Sequence, residues 1–219
     1  MKVLETKKLN KYFEQGNNKN HILKNISLTI NSGDFLGIIG PSGSGKTTLL
    51  YCLGTLENFE GGDVFLLGKN IKDLTDKEVA KIRNSEIGYV FQFFNLIPNL
   101  TAYENVLLAS AITKQVNDER IDELLMLVGM EKFKEYYPEQ LSGGMQQRIA
   151  IARALINGPK ILFADEPTGN LDQKKGKEIM ELLKKLNKEQ GLTIILVTHN
   201  EDYISYCNRT INLIDGEIV

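Results

Sequence analysis

Gly40-Pro41-Ser42-Gly43-Ser44-Gly45-Lys46-Thr47 has the spacing G-x-x-x-x-G-K-[ST], and each residue type in it suits a phosphate chain. The glycines let successive backbone N–H groups turn toward one anion. A helix starting at Lys46 adds its positive end, and the Lys46 ammonium reaches β- and γ-phosphate oxygens. The Thr47 hydroxyl suits the shell of a Mg²⁺ ion, and Thr48 continues the same helix start. At ordinary residue frequencies a chance match in a chain this long has a probability of roughly 1%, so binding of ATP or GTP is expected. Ile161-Leu162-Phe163-Ala164-Asp165-Glu166 is an apolar run ending in two carboxylates, and ligands of doubly wound sheets lie at such strand ends. Asp165 is expected to hold the Mg²⁺ shell and Glu166 to polarise the water that attacks the γ-phosphate. Taken alone, the pair before Pro167 serves equally well as a helix-start cap. In Leu141-Ser142-Gly143-Gly144-Met145-Gln146, Ser142 is placed to cap a helix. The free N–H groups of Gly143 and Gly144 then make an anion site lacking a lysine, with an ordinary serine cap and tight Gly-Gly turn as the plain alternative.

These residues need elements to hold them. Phe35 to Ile39 is a short apolar run entering the glycine loop, and Lys46 to Leu53 is compatible with a helix. Ile26, Leu28 and Ile30 alternate with Ser27 and Thr29, and Asn31-Ser32-Gly33 ends that strand. Further apolar runs at Val64 to Leu67, Ile87 to Phe91, Ile161 to Ala164, Thr193 to Val197 and Ile211 to Ile214 predict buried strands. Between about Phe93 and Asn157 the period becomes helical: Ile121, Leu124, Leu125 and Val128 form one stripe with Gly129 as its stop, and Met145, Ile149, Ala152 and Ile156 form another. Ile179, Leu182, Leu183 and Leu186 mark a last amphipathic helix. Its lysines are interspersed with Glu178, Glu181 and Glu189 and read as a solvated face.

Composition closes off other classes. The 219 residues carry 26 Lys+Arg against 28 Asp+Glu, a net charge of −2, without the basic excess of a protein held by nucleic-acid phosphates. No run approaches the ~18 apolar residues of a membrane span, and Met1-Lys2-Val3-Leu4-Glu5 opens no apolar signal segment, which predicts a cytosolic setting. Cys52 and Cys207 lack metal or redox spacing and read as buried or semi-buried thiols.

In this order, the motifs resemble those of the ATP-binding cassette (ABC) ATPases over the whole chain. The LSGGQ signature of that family appears as Leu141 to Met145, with Met145 where Gln is commonest and Gln146 following. The resemblance implies an α/β fold: a P-loop NTPase (RecA-like) core with an antiparallel β subdomain, from residues 1–92 and 158–219, and an inserted α-helical subdomain at 93–157, all in one domain. It implies that Gln92 is the Q-loop glutamine joining metal and water to the insert, and that His199 contacts the γ-phosphate. Gly169-Asn170-Leu171-Asp172 is then the D-loop, and Phe13, three before Gly16, stacks on adenine, with adjacent Tyr12 as the alternative. Asp165-Glu166-Pro167-Thr168-Gly169-Asn170-Leu171-Asp172 and Phe91 to Pro98 look like the MacB/LolD/FtsE subfamily. The implied activity is Mg²⁺-dependent ATP hydrolysis by two copies of the chain, head to tail, driving a separate membrane permease from the cytoplasmic face of the membrane. Lipoprotein release, antibiotic or peptide efflux and cell-division signalling all fall within it. An ABC ATPase acting on nucleic acid is the rival, but the interval from Lys46 to Ser142 is too short and unperiodic for the coiled coils of that class. Asn187-Lys188-Glu189-Gln190 lacks the Asp of a guanine-reading NKxD motif.

Overall fold

A computed structural model describes residues 1–16, 18–112 and 117–219. The chain runs β1 (Lys2–Gln15), β2 (Asn18–Asn31), β3 (Phe35–Ile39), α1 (Lys46–Leu53), β4 (Gly61–Leu66), β5 (Lys69–Asn70), α2 (Asp76–Glu86), β6 (Ile87–Phe91), α3 (Ala102–Ile112), α4 (Asp118–Leu127), α5 (Gly143–Leu155), β7 (Ile161–Asp165), α6 (Gln173–Gln190), β8 (Thr193–Val197), β9 (Arg209–Ile214) and β10 (Glu217–Ile218). Two sheets result. One is antiparallel, in the order β2-β1-β4-β5. The other is six-stranded, in the order β10-β9-β3-β8-β7-β6, with β9, β3, β8, β7 and β6 running parallel.

The parallel sheet divides the interior. All five residues of β7 and of β8 are buried, as a sheet covered on both faces requires. Side chains alternate across it: Leu162, Ala164, Ile194 and Leu196 pack with the helices α3 to α6. Ile161, Phe163, Ile195 and Val197 pack with Leu49, Leu50 and Leu53 of α1 and with Leu4, Ile26 and Ile30 of the antiparallel sheet. The amphipathic α6 buries Ile179, Leu182, Leu183 and Leu186 as its stripe predicts. Three α-helices fall between 93 and 157, although 113–116 lie outside the described residues. Cys52 is buried and Cys207 half-buried.

Two elements differ from the sequence expectation. The run at Ile211 to Ile214 does form a strand, β9, but only Leu213 in it is buried, because β9 lies one place from the sheet edge, where neither face is fully covered. Helix α2 has no counterpart in the periodicity, since none of its residues is buried and no apolar stripe exists to mark it. Its sequence sign is a capping box: the Thr75 N–H donates to Glu78 Oε2 at 2.9 Å, and the Glu78 N–H donates to Thr75 Oγ1 at 3.4 Å. Among the described residues, no helix is long and apolar enough to cross a membrane.

Candidate functional site

The glycine loop joins the end of β3 to the start of α1. Gly40 has φ +147°, and a Cβ there would run into the backbone carbonyl of Leu213, so the first loop position requires glycine. Gly45, also left-handed at φ 96°, is the N-cap of α1 and offers no capping side chain, which leaves the first N–H groups of the helix open. Lys46 is buried, and its ammonium donates to the carbonyls of Gly40 at 2.9 Å and Pro41 at 2.7 Å. A buried cation resting on neutral carbonyls is poised to exchange them for an anion. The Ser44 hydroxyl is buried without a partner in the same loop.

A cleft of about 570 Å³ opens beside the loop, lined by Phe13, Ile22, Ser42, Gly43, Gly45, Lys46, Thr47, Thr48, Glu166 and His199. Strands β7 and β8 deliver its acid–base end, as neighbours whose registers pair Asp165 with Val197. The Thr47 hydroxyl donates to Asp165 Oδ1 at 3.0 Å and the Tyr51 hydroxyl to Asp165 Oδ2 at 3.0 Å. Burial pushes the Asp165 carboxyl above its ordinary value while those two hydrogen bonds oppose the shift. Burial and the Asp165 charge raise the Tyr51 phenol to about 12. A hydroxyl and a carboxylate 3.0 Å apart are hard oxygen donors. They fit Mg²⁺, which uses few protein ligands and completes its octahedron with phosphate oxygens and water. Glu166 holds a left-handed backbone (φ 44°), with its N–H donating to the Val197 carbonyl at 2.9 Å. That turn aims its carboxylate at His199, whose Nδ1 lies 2.6 Å from Glu166 Oε2. Of the two aromatics on β1, Tyr12 stacks on His21 (centroids 4.2 Å, planes 15° apart), whereas Phe13 is 41% exposed and lines the cleft.

Other expected residues sit apart from the cleft. Gln92, just past β6, donates from its amide to Asn170 Oδ1 at 3.3 Å, and the Asn170 amide donates back to the Gln92 carbonyl at 3.0 Å. Asp172 is the N-cap of α6, accepting from the Lys175 N–H at 2.9 Å. Ser142 occupies the N-cap position of α5 with extended backbone, but it makes no capping hydrogen bond, which corrects the sequence reading. The residue is exposed, so its hydroxyl is free to bond solvent and the first N–H groups of α5 have no side-chain acceptor. Gly143 lies against Leu171 and Phe94, and Gly144 against Lys175. The start of α5 therefore rests on the 170–175 segment, and the Gln146 amide closes back on the Leu141 carbonyl at 3.0 Å. Sequence reasoning missed Tyr51 and Ile22. Tyr51 sits four residues after Thr47 on α1, a helical spacing that puts both on one face; Ile22 reaches the cleft through a long-range sheet contact without local signal.

Residues 23–169 match the family model described as ABC transporter. The chain belongs to the ABC transporter family. Among the relatives of this ABC cassette, the macrolide export ATP-binding/permease protein MacB of Mannheimia succiniciproducens is 44% identical over 222 residues, 100% of this chain and 34% of that protein. The chain thus spans about a third of the length of such MacB relatives. The lipoprotein-releasing system ATP-binding protein LolD 2 of Rhodospirillum rubrum is 43% identical, covering 99% of this chain and 96% of its own. A solved dimeric structure of the ATP-binding cassette MJ0796, in a post-hydrolysis state bound to ADP and Pi, superposes with a TM-score of 0.89 at 44% identity. It covers 98% of this chain and 96% of that one. The cassette is accordingly similar over its whole length to stand-alone ATP-binding proteins, and to one part of longer ones.

Proposed function

We propose that the chain binds Mg-ATP in the cleft and hydrolyses it as one of two identical subunits that drive a membrane permease. One observation carries the reading: the glycine loop, Lys46, Glu166 and His199 converge on a single cleft that Ser142, Gly143 and Gly144 do not line. A second copy, head to tail, supplies that missing wall. The open N–H groups at the start of its α5 meet the γ-phosphate held by Lys46. Residues 40–48 bind the phosphates, Phe13 stacks on the base, and Thr47, Asp165 and Gln92 belong to the metal shell. When bound, Mg²⁺ neutralises charge on the phosphate oxygens. Glu166 takes the proton of the attacking water, and His199, 2.6 Å away, holds the carboxylate in place and faces the γ-phosphate. Asp172 and its D-loop neighbours lie where the two copies meet.

The unit is one domain, with 93–157 as a helical part able to shift against the rest. The reciprocal pair of Gln92 and Asn170 ties the residue at which the chain enters that part to the D-loop. Phe93 is 72% exposed in the stretch between Phe91 and Asn95, which with Tyr89, Ile112 and Arg153 line a groove of about 370 Å³ that suits a short helix of the permease, whereas Phe94 packs toward Gly143 and Leu96 against the helical core. The names of the MacB and LolD relatives, macrolide export and lipoprotein release, favour export or extraction, and the cassette acts in this reading from the cytoplasmic face of a membrane.

Gel filtration tests the dimer. Glu166→Gln protein at micromolar concentration runs as the larger species with Mg-ATP and as monomer with Mg-ADP, because a ligand that binds only the closed pair shifts the equilibrium toward it. Mixing inactive Lys46→Ala and Ser142→Arg proteins restores some hydrolysis, since one of the two composite sites is then intact. No ATP-dependent dimer together with no recovery refutes the two-chain site.

A further inference from the structure

Lys11 is 4% exposed on β1. A buried ammonium is costly unless paired, and this one lies 2.9 Å from Glu57 Oε1 and 3.1 Å from Glu60 Oε1. The second Glu60 oxygen accepts the Tyr12 N–H at 2.8 Å, and the Glu60 N–H donates to the Asn10 carbonyl at 3.1 Å. Four contacts thus staple β1 at residues 10–12 to the segment that leaves α1. That segment is tied back to α1 by the Leu56 and Glu57 N–H groups, both donating to the Tyr51 carbonyl. At its other end α1 carries Lys46 and Thr47. The same ammonium stands 4.8 Å from the centroid of the Phe13 ring, within cation–π range.

We infer that Lys11 is a positioning residue for base recognition, locking the Phe13 wall to the phosphate cradle through Glu57 and Glu60 and fixing the ring against its ammonium. The inference rests on the nucleotide reading above. A ring held by a cation keeps one orientation in the absence of ligand, so stacking a base on it costs little further ordering. The cation also draws π density away from the face turned to the base. Lys11 touches neither phosphate nor metal donors, so its removal separates the two halves of nucleotide recognition: base affinity falls and phosphate affinity stays.

The test compares Mg²⁺-ATP with Mg²⁺-tripolyphosphate, which has the phosphates and no base, by calorimetry. The variant is K11M combined with E57Q and E60Q, which removes the ammonium without stranding two carboxylates and keeps an acceptor for the Tyr12 N–H. ATP affinity drops about fivefold while tripolyphosphate affinity stays within twofold of wild type, so tripolyphosphate also reports a folded cradle. K11R, which retains the charge and the ring contact, keeps both affinities. In an F13A background the triple substitution causes no further loss, because the two act through one ring. An unchanged ratio of the two affinities, an equal fall in both, or a further fivefold loss on top of F13A overturns the inference. Wild-type protein that binds neither probe overturns the nucleotide reading itself, a result distinct from the other three.

Discussion

Lys46→Ala tests the phosphate cradle where the structure gives the most to calculate with. In the free protein the ammonium makes hydrogen bonds of 2.9 and 2.7 Å to the Gly40 and Pro41 carbonyls. Bound triphosphate must displace both, at about 1.5 kcal/mol each for a charged donor at a cleft edge. The gain is a charge–charge contact at about 4 Å, worth about 4 kcal/mol at an effective dielectric near 20, as suits a partly covered cleft. The net is about 1 kcal/mol, so Lys46→Ala weakens Mg-ATP binding roughly fivefold. Folding should suffer much less, because the two carbonyls face a wide cleft and alanine is a better helix former than lysine at the start of α1. Calorimetry on protein with unchanged circular dichroism measures the effect. ATP affinity within twofold of wild type refutes the cradle assignment; a loss accompanied by melting of the fold shows instead that the lysine serves the loop.

Two further outcomes follow from the acidic end of the cleft. Glu166→Gln keeps a side chain able to hydrogen-bond His199 but no base, so kcat falls about 10²–10⁴-fold with ATP affinity little changed. A loss under tenfold in single-turnover kinetics reduces Glu166 to an anchor for His199. Asp165→Asn raises the melting temperature of nucleotide-free protein at neutral pH. The Asp165 carboxyl is held above its ordinary pKa by burial, so the folded state binds the proton more tightly than the unfolded one. Wild-type stability therefore falls as pH rises through that window, and the advantage of the asparagine shrinks as pH drops into it. A variant that melts lower than wild type at every pH refutes the desolvation argument.

The sequence was most readable where chemistry constrains residue type. The strand–loop–helix around Lys46, the apolar runs that became β7 and β8, and the stripe of α6 each carry a local pattern strong enough to survive folding. It was least readable where burial or long-range pairing decides. Helix α2 buries no side chain fully and only rests Ile82 against the core, so its clearest sign was Thr75 and Glu78. Strand β9 carries an apolar run interrupted by Asn212, and its place beside the edge strand leaves most of it exposed. Ser142 sits where a cap belongs, yet nothing local dictates which way its hydroxyl turns. The choice between Tyr12 and Phe13 likewise depends on His21, nine residues beyond Tyr12 and across a hairpin, which occupies one ring and leaves the other open.

The parallel sheet, with Ile194 and Leu196 on one side and Ile195 and Val197 on the other, acts toward substitution as a party wall. A change of volume at Leu196 is felt by the helices that carry the signature loop, and one at Ile195 by the helix beneath the phosphate cradle, with little traffic between them. The side packed against α3 to α6 can therefore be remodelled while the side packed against α1 stays fixed. Paired substitutions on opposite faces of β8 should add in their effects, whereas pairs on one face should not.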